Sequence, residues 1–180
     1  MGLLDSVLKV FVGDKSKKDV AELQPNVNKT LSFEKAMESL SIDELRHKTA
    51  EFKEKIAQAK ANTLEQIATL KETANNEEDI DKREEIYEQI DKLHDQAYDE
   101  AEVVLNDIMP EAFAVMKETA KRFFHNEEIR VSATTRDREL SGEKDYVQLD
   151  GEHAIWSNSW DAAGKPITWD MIHYDVQLVG

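Results

Sequence analysis

The sequence predicts an α+β fold that is mainly α. Two apolar seams with spacings of three and four occupy its middle, and after His125 the apolar period falls to two. Charged residues make up 34% of the 180 and hydrophobic residues 40%, a balance that favours long, solvent-washed helices over one thick core. A single compact domain, or a small domain with an elongated extension, fits this length.

Leu3, Leu4, Val7, Leu8 and Phe11 share one helical face, with Lys9, Lys15, Lys17 and Lys18 at or just beyond its C-terminal half. Residues 1–20 carry four lysines against three aspartates on a chain of net charge −15, so the one non-acidic region coincides with this amphipathic stretch. Two readings stand: an interfacial anchor, or a helix docked on its own or a neighbouring subunit. At helical rise the patch spans about 15 Å, about half a bilayer core. It also lacks the basic flank and cleavage site of a signal peptide, so it does not cross a membrane.

A turn is expected at Gln24-Pro25-Asn26, then a helix over roughly 30–40. Ser41-Ile42-Asp43-Glu44 forms a capping box, whose hydroxyl and carboxylate can satisfy the free amides of a helix start. The first seam follows as Leu45, Thr49, Phe52, Ile56, Ala59, Thr63, Ile67 and Leu70. Asn75-Asn76-Glu77-Glu78 breaks it, and Ile86, Ile90, Leu93, Ala97, Ala101, Val104 and Ile108 form the second. Two seams joined by a short acidic turn predict a long antiparallel helical hairpin, read as a projecting arm with a marginally stable tip. Folding about Asn75-Asn76 sets residue 44 near 108 and residue 94 near 58.

Pro110 suits the first turn of a further helix, running to about Phe124, with Phe113, Met116, Ala120 and Phe124 as its core stripe. Lys117, Lys121 and Arg122 complement its negative end. Ile129, Val131 and Ala133 then alternate with polar residues, and Tyr146–Leu149, Asp150-Gly151 and Glu152–Trp156 read as a hairpin with a tight turn. Residues 158–166 read as a loop, before Ile167-Thr168-Trp169 returns to extended structure. Trp156, Trp160 and Trp169 give this small module its core, or line an aromatic groove for a peptide. Asp175-Val176-Gln177-Leu178 alternates polar with apolar ahead of Gly180, as a strand approaching a turn does.

Several chemistries are excluded. Without cysteine there is no disulfide framework, thiolate metal site or cysteine nucleophile. The net charge of −15 repels phosphate backbones, so nucleic acid is not an expected partner. Glu44-x-x-His47 and Asp91-x-x-His94 resemble di-iron pairs, but the hairpin sets them about 20 Å apart, so they read as exposed charge. His125, His153 and His173 show no metal spacing, and Glu77-Glu78-Asp79 lacks the glycine-turn loop of a calcium site. No metal site and no catalytic residue is assigned. The chain contains no G-x-x-x-x-G-K-[ST].

Pro110-Glu111-Ala112-Phe113-Ala114-Val115-Met116 and Met171-Ile172-His173-Tyr174-Asp175-Val176-Gln177-Leu178 together resemble the start of the SecA family, the ATP-driven motors of bacterial protein export. In that family a P-E-A-F-A-V helix precedes an M-x-H-F/Y-D-V-Q-L-x-G-G segment and then a G-E-G-K-T phosphate loop. Tyr174 stands where Phe is also common and Met109 where Leu is usual. Thr49-Ala50-Glu51-Phe52, after Ser41-Ile42-Asp43-Glu44-Leu45, resembles the family's first helical region. Stretches from about Ala57 to Asp107 and from about Asn126 to Lys165 fall outside the usual pattern and read as insertions.

The resemblance implies the N-terminal fragment of a preprotein translocase ATPase, ending in a strand of an incomplete α/β nucleotide-binding domain. It divides the chain into an N-terminal amphipathic helix and linker (1–25), a helical region (26–125) with its hairpin arm at about 57–107, a β insertion (126–169) and that strand (170–180). It implies that Gln177 contacts the adenine of ATP, with Met171 and Tyr174 packing around the base. A glutamine amide offers the acceptor and donors that match adenine N6 and N7. It further implies Mg and ATP in the parent protein, the SecYEG channel and preproteins as partners, and a cytoplasmic location on the inner face of the membrane. Leu4, Leu8, Lys9 and Phe11 would touch the channel or an anionic membrane surface, with homodimerisation left open. Lacking the phosphate loop, the fragment should be inactive alone. The alternative is a non-enzymatic interaction module using the helical arm and the aromatic hairpin.

Overall fold

The computed structural model describes residues 21–178. Of these, the residues up to Leu45 and from Phe113 onward form one compact unit, and Arg46–Ala112 a second. The predicted α+β, mainly helical class holds.

In the first unit, helix α1 is described over residues 21–32 and runs straight through Pro25, where a turn was expected. Proline removes one amide donor from a helix. Burial of Val27 and Thr30 offsets that loss, and Thr30 Oγ1 donates to Asn26 O at 2.9 Å. Helix α2 (Glu34–Ser39) follows, and α3 (Ile42–Ala59) starts at the predicted capping box. Glu44 N donates to Ser41 Oγ at 3.2 Å, and Ser41 N donates to Glu44 Oε2 at 2.7 Å. These bonds, the Ser41 hydroxyl first, hold the Glu44 carboxyl below its ordinary range.

Met37, Leu45 and Ala114 meet in a buried cluster that Phe33, Leu40, Ile42 and Val115 extend. A second cluster joins Ile129, Val131 and Ala154 to Ile42, Phe123, Ala133 and Trp156. Helix α5 (Ile80–His125) supplies residues to both. Its face is rotated from the predicted stripe. Ala114 and Ala120 are buried, while Met116 and Phe124 are exposed. Pro110 does not start a new helix either; it lies buried inside α5. Burial of Pro110 and of Ile108 beside it compensates for the missing hydrogen bond, which propensity alone would not allow.

The β module contains two sheets. In the first, β1 (Glu128–Ser132) and β2 (Val147–Asp150) flank β3 (His153–Ser157), all antiparallel, with Val131 opposite Ala154 and Val147 opposite Trp156. The β2–β3 turn is Gly151-Glu152, one residue beyond the expected Asp150-Gly151, and Gly151 takes its first central place at φ +60°, a conformation that glycine adopts without a Cβ penalty. Between β1 and β2 lies α6 (Thr135–Ser141), which the sequence reading missed. The expected loop at 158–166 is instead a second hairpin, β4 (Ser159–Ala162) with β5 (Lys165–Thr168). Ala163 and Gly164 turn it at φ 56° and 81°, and Gly164 N donates to Asp161 Oδ1 at 2.8 Å. Pro166 is tolerated because each strand of this two-stranded sheet has an open edge.

The second unit contains the rest of α3, α4 (Ala61–Asn76) and the first part of α5. Of the predicted seam residues in this unit, Phe52, Thr63, Ile67, Ile90, Ala97 and Ile108 are buried, whereas Thr49 is exposed. The helix expected to run unbroken from Ser41 to Asn75 is interrupted at Lys60. The antiparallel register also differs. Thr63 Oγ1 lies 2.8 and 2.9 Å from the Glu100 carboxylate oxygens, and Lys48 Nζ lies 3.1 Å from Glu111. That is about two turns away from pairing 58 with 94. Helix α4 continues to Asn76 and the connection is Glu77–Asp79, so the fold point lies further along the chain than Asn75-Asn76.

Candidate functional site

The residues expected to read a nucleotide follow β5. Trp169 N donates to Asn158 O at 2.8 Å, and Trp169 Nε1 donates to Met171 O at 2.7 Å. Asn158 is itself buried, and its Nδ2 donates to Phe123 O at 3.2 Å, so the segment leaves from the junction of α5 with the sheets. Asp175–Leu178, expected as a strand, forms a 3-10 helix. Its polar groups are satisfied locally: Gln177 N donates to Tyr174 O at 2.9 Å, and Gln177 Oε1 accepts from Tyr174 N at 2.8 Å. A strand needs a neighbouring strand for these bonds, whereas this turn supplies its own.

Gln177 and Tyr174 are therefore brought together, both exposed. Met171 is exposed too, but its carbonyl accepts from the Trp169 indole rather than bonding to either of them. The Gln177 carbonyl keeps a second lone pair and its NH2 has two donors, so the amide edge can still pair with an adenine N6 and N7. Ile172 is half-buried and Leu178 buried, which seats the segment. Among the described residues, His173 Nδ1 is buried without a hydrogen-bond partner.

The helices beside this segment carry a dense ionic network. Lys117 Nζ lies 2.7 Å from Glu34 Oε1 and 2.8 Å from Asp175 Oδ1. Burial alone would lower the Lys117 ammonium, but Asp175 and Glu34 together raise it above its ordinary value. Lys121 pairs with Glu38, and that contact holds Glu38 below its ordinary range and Lys121 above its own. Arg122 Nη2 donates to Met37 O at 3.0 Å and Leu40 O at 2.8 Å, completing the C-terminal end of α2, where carbonyls lack helical partners. Glu34, Glu38, Ala114, Lys117, Lys121 and Ile172 line a cavity of about 240 Å³.

Sequence reasoning assigned Lys117, Lys121 and Arg122 only to the negative end of their own helix. Glu118, three and four residues before Lys121 and Arg122, is signalled by local spacing, but Glu34, Glu38, Asp175 and the α2 carbonyls lie dozens of residues away and are not. Asp137 was missed as well, although Thr134-x-x-Asp137 has the spacing of a capping box, which the structure forms.

Leu4, Leu8, Lys9 and Phe11 lie outside the described residues. Glu44, His47, Asp91 and His94 are exposed, and the observed register sets His47 and His94 roughly 27 Å apart along the helices. Among the described residues no three His, Asp or Glu side chains converge as metal ligands, and no helix is long and apolar enough to cross a membrane. A larger shallow groove of about 660 Å³ in the second unit, between α4 and α5, is lined by Asn62, Gln66, Leu70, Gln89 and Lys92 among others.

Residues 8–180 match the family described as SecA DEAD-like domain. The chain is similar over all 180 residues to proteins named protein translocase subunit SecA, with 59% identity to that of Christiangramia forsetii and 55% to that of Flavobacterium psychrophilum. Identity to the protein of Porphyromonas gingivalis strain ATCC 33277 is 44% over the same length. In each case the chain spans about 16% of the relative's length. These matches run through 57–107 and 126–165, so both stretches are shared with the relatives. No solved structure gives a significant match.

Proposed function

We propose, because this chain belongs to the SecA family, that it forms the N-terminal part of an ATP-driven motor that moves preproteins through the SecYEG channel. Gln177 is the adenine contact, with Tyr174 and Met171 beside the base. The observation that carries this reading is the exposed Gln177 amide, fixed against Tyr174 with unused donors and a free lone pair.

The residues present fit the base of ATP but not its phosphates. Phosphoryl transfer needs a phosphate-cradling loop, its lysine and a magnesium-holding hydroxyl and acid, and no G-x-x-x-x-G-K-[ST] occurs in these 180 residues. The chain therefore orients adenine, and hydrolysis belongs to the complete motor. Residues 1–20, with Leu4, Leu8, Lys9 and Phe11 on or beside an apolar face, would hold the motor peripherally against the anionic inner face of the membrane or its channel. The acidic remainder would stay in the cytoplasm.

The test is ATP turnover by the complete gene product and by the 180-residue chain, each with and without a preprotein and vesicles bearing the channel. The complete protein should show turnover that preprotein stimulates, and the chain alone should match a mock-purified control. Turnover by the chain, or indifference of the complete protein to preprotein, would sink the proposal.

A further inference from the structure

The nucleotide-reading segment is tied to the helices through one cation. Lys117 Nζ sits between Glu34 Oε1 at 2.7 Å and Asp175 Oδ1 at 2.8 Å, and its side chain is only 16% exposed. Asp175 opens the 3-10 helix that contains Gln177. Its neighbour Tyr174 bonds Gln177 through both its N–H and its C=O. Placing Asp175 therefore places the amide edge of Gln177.

We propose that Lys117 is a positioning residue for the nucleotide-reading segment. Glu34 of α2 orients the ammonium, the ammonium holds Asp175, and Asp175 sets where Tyr174 and Gln177 present themselves. This rests on the reading of Gln177 as the adenine contact.

The other cations on this part of α5 are committed elsewhere. Lys121 pairs with Glu38 and Glu118, and Arg122 with Glu118 and the last carbonyls of α2. Ile172 lines the same cavity as Lys117 and Ala114, so the segment has an apolar footing on one side of Tyr174 and an ionic one on the other. An ionic footing suits a segment that must keep its place while its exposed face exchanges ligands. It fixes direction as well as distance, which apolar contact alone does not. Burial disfavours the ammonium, and the two carboxylates outweigh it, raising Lys117 above its ordinary value.

The test combines nucleotide affinity in the complete motor with amide exchange in this chain. In the complete motor, Lys117→Met should weaken N-methylanthraniloyl-ADP binding about fivefold, the upper end for a partly exposed ion pair. Lys117→Arg should restore most of the affinity. Asp175→Asn should weaken binding to a similar extent, and the double variant no further, because both changes cut one link. In the 180-residue chain, Lys117→Met should speed exchange of the Tyr174 and Gln177 amides while leaving that of Leu45 unchanged, which separates loss of positioning from loss of folding. If Gln177→Ala weakens ADP binding but Lys117→Met does not, Lys117 is no positioning residue and the adenine reading stands. If Gln177→Ala leaves ADP binding intact, the adenine reading fails and Lys117 has nothing to position.

Discussion

Asp137→Ala should destabilise the chain by about 2 kcal/mol, through loss of the hydrogen bonds that its carboxylate accepts. Asp137 is fully buried. Its Oδ1 accepts from Trp156 Nε1 at 3.0 Å, and its Oδ2 accepts from Thr134 N at 2.8 Å and Thr134 Oγ1 at 2.7 Å. One carboxylate thus starts α6, closes its capping box and anchors that helix to β3. Alanine removes the acceptor from the half-buried Trp156 indole N–H and opens the capping box at the exposed Thr134, whose amide can turn to water. Asparagine retains one acceptor and should cost less than alanine. Urea unfolding followed by tryptophan fluorescence reads both effects. A loss from Asp137→Ala below about 1 kcal/mol would show that these donors find other partners.

Leu45→Ala should cost about 2–5 kcal/mol, the range for emptying a buried leucine site. Leu45 is 1% exposed and packs with Met37 and Ala114 in the cluster that joins α2, α3 and α5. The helices meeting there cannot collapse onto the space freely, because Arg122 and Lys121 pin α2 to α5. Leu45→Met, which nearly conserves volume, should cost less than about 1.5 kcal/mol. Glu34 lies on α2 and Lys117 on α5, the helices joined by this cluster, so Leu45→Ala should also loosen the segment that carries Asp175 and Gln177. Equal losses for Ala and Met in thermal unfolding would show that the cluster is not close-packed.

The parts of the fold written in local chemistry were legible in the sequence. The Ser41–Glu44 capping box, much of the two helical seams and the β2–β3 hairpin depend on residues within a few positions of one another, and they appear, the hairpin turning one residue later than expected. The parts that escaped depend on partners remote in sequence. Pro25 and Pro110 read as breaks because propensity sees only the lost amide, whereas burial decides whether a helix survives it. The β4–β5 turn carries Ala163 at φ 56°, where Gly or Asn would have announced a hairpin. The register of the helices follows from Lys48–Glu111 and Thr63–Glu100, and apolar spacing alone cannot choose between registers two turns apart. At the candidate site, the resemblance pointed to Gln177, Tyr174 and Met171. The structure adds what the motif could not convey: Asp175 is held by Lys117, and Gln177 is braced by Tyr174.

Reading of adenine by Gln177 is tested most directly by the dissociation constants of ADP and GDP in the complete motor, before and after Gln177→Ala. Guanine presents O6 as an acceptor where adenine presents an N6 donor, so the amide matches adenine better when its oxygen faces position 6. The expected result is a preference for ADP that falls about tenfold in Gln177→Ala through weaker ADP binding, with GDP binding nearly unchanged. An ADP-to-GDP ratio unaffected by the substitution would contradict the assignment of Gln177 and, with it, the role given to the segment that carries it.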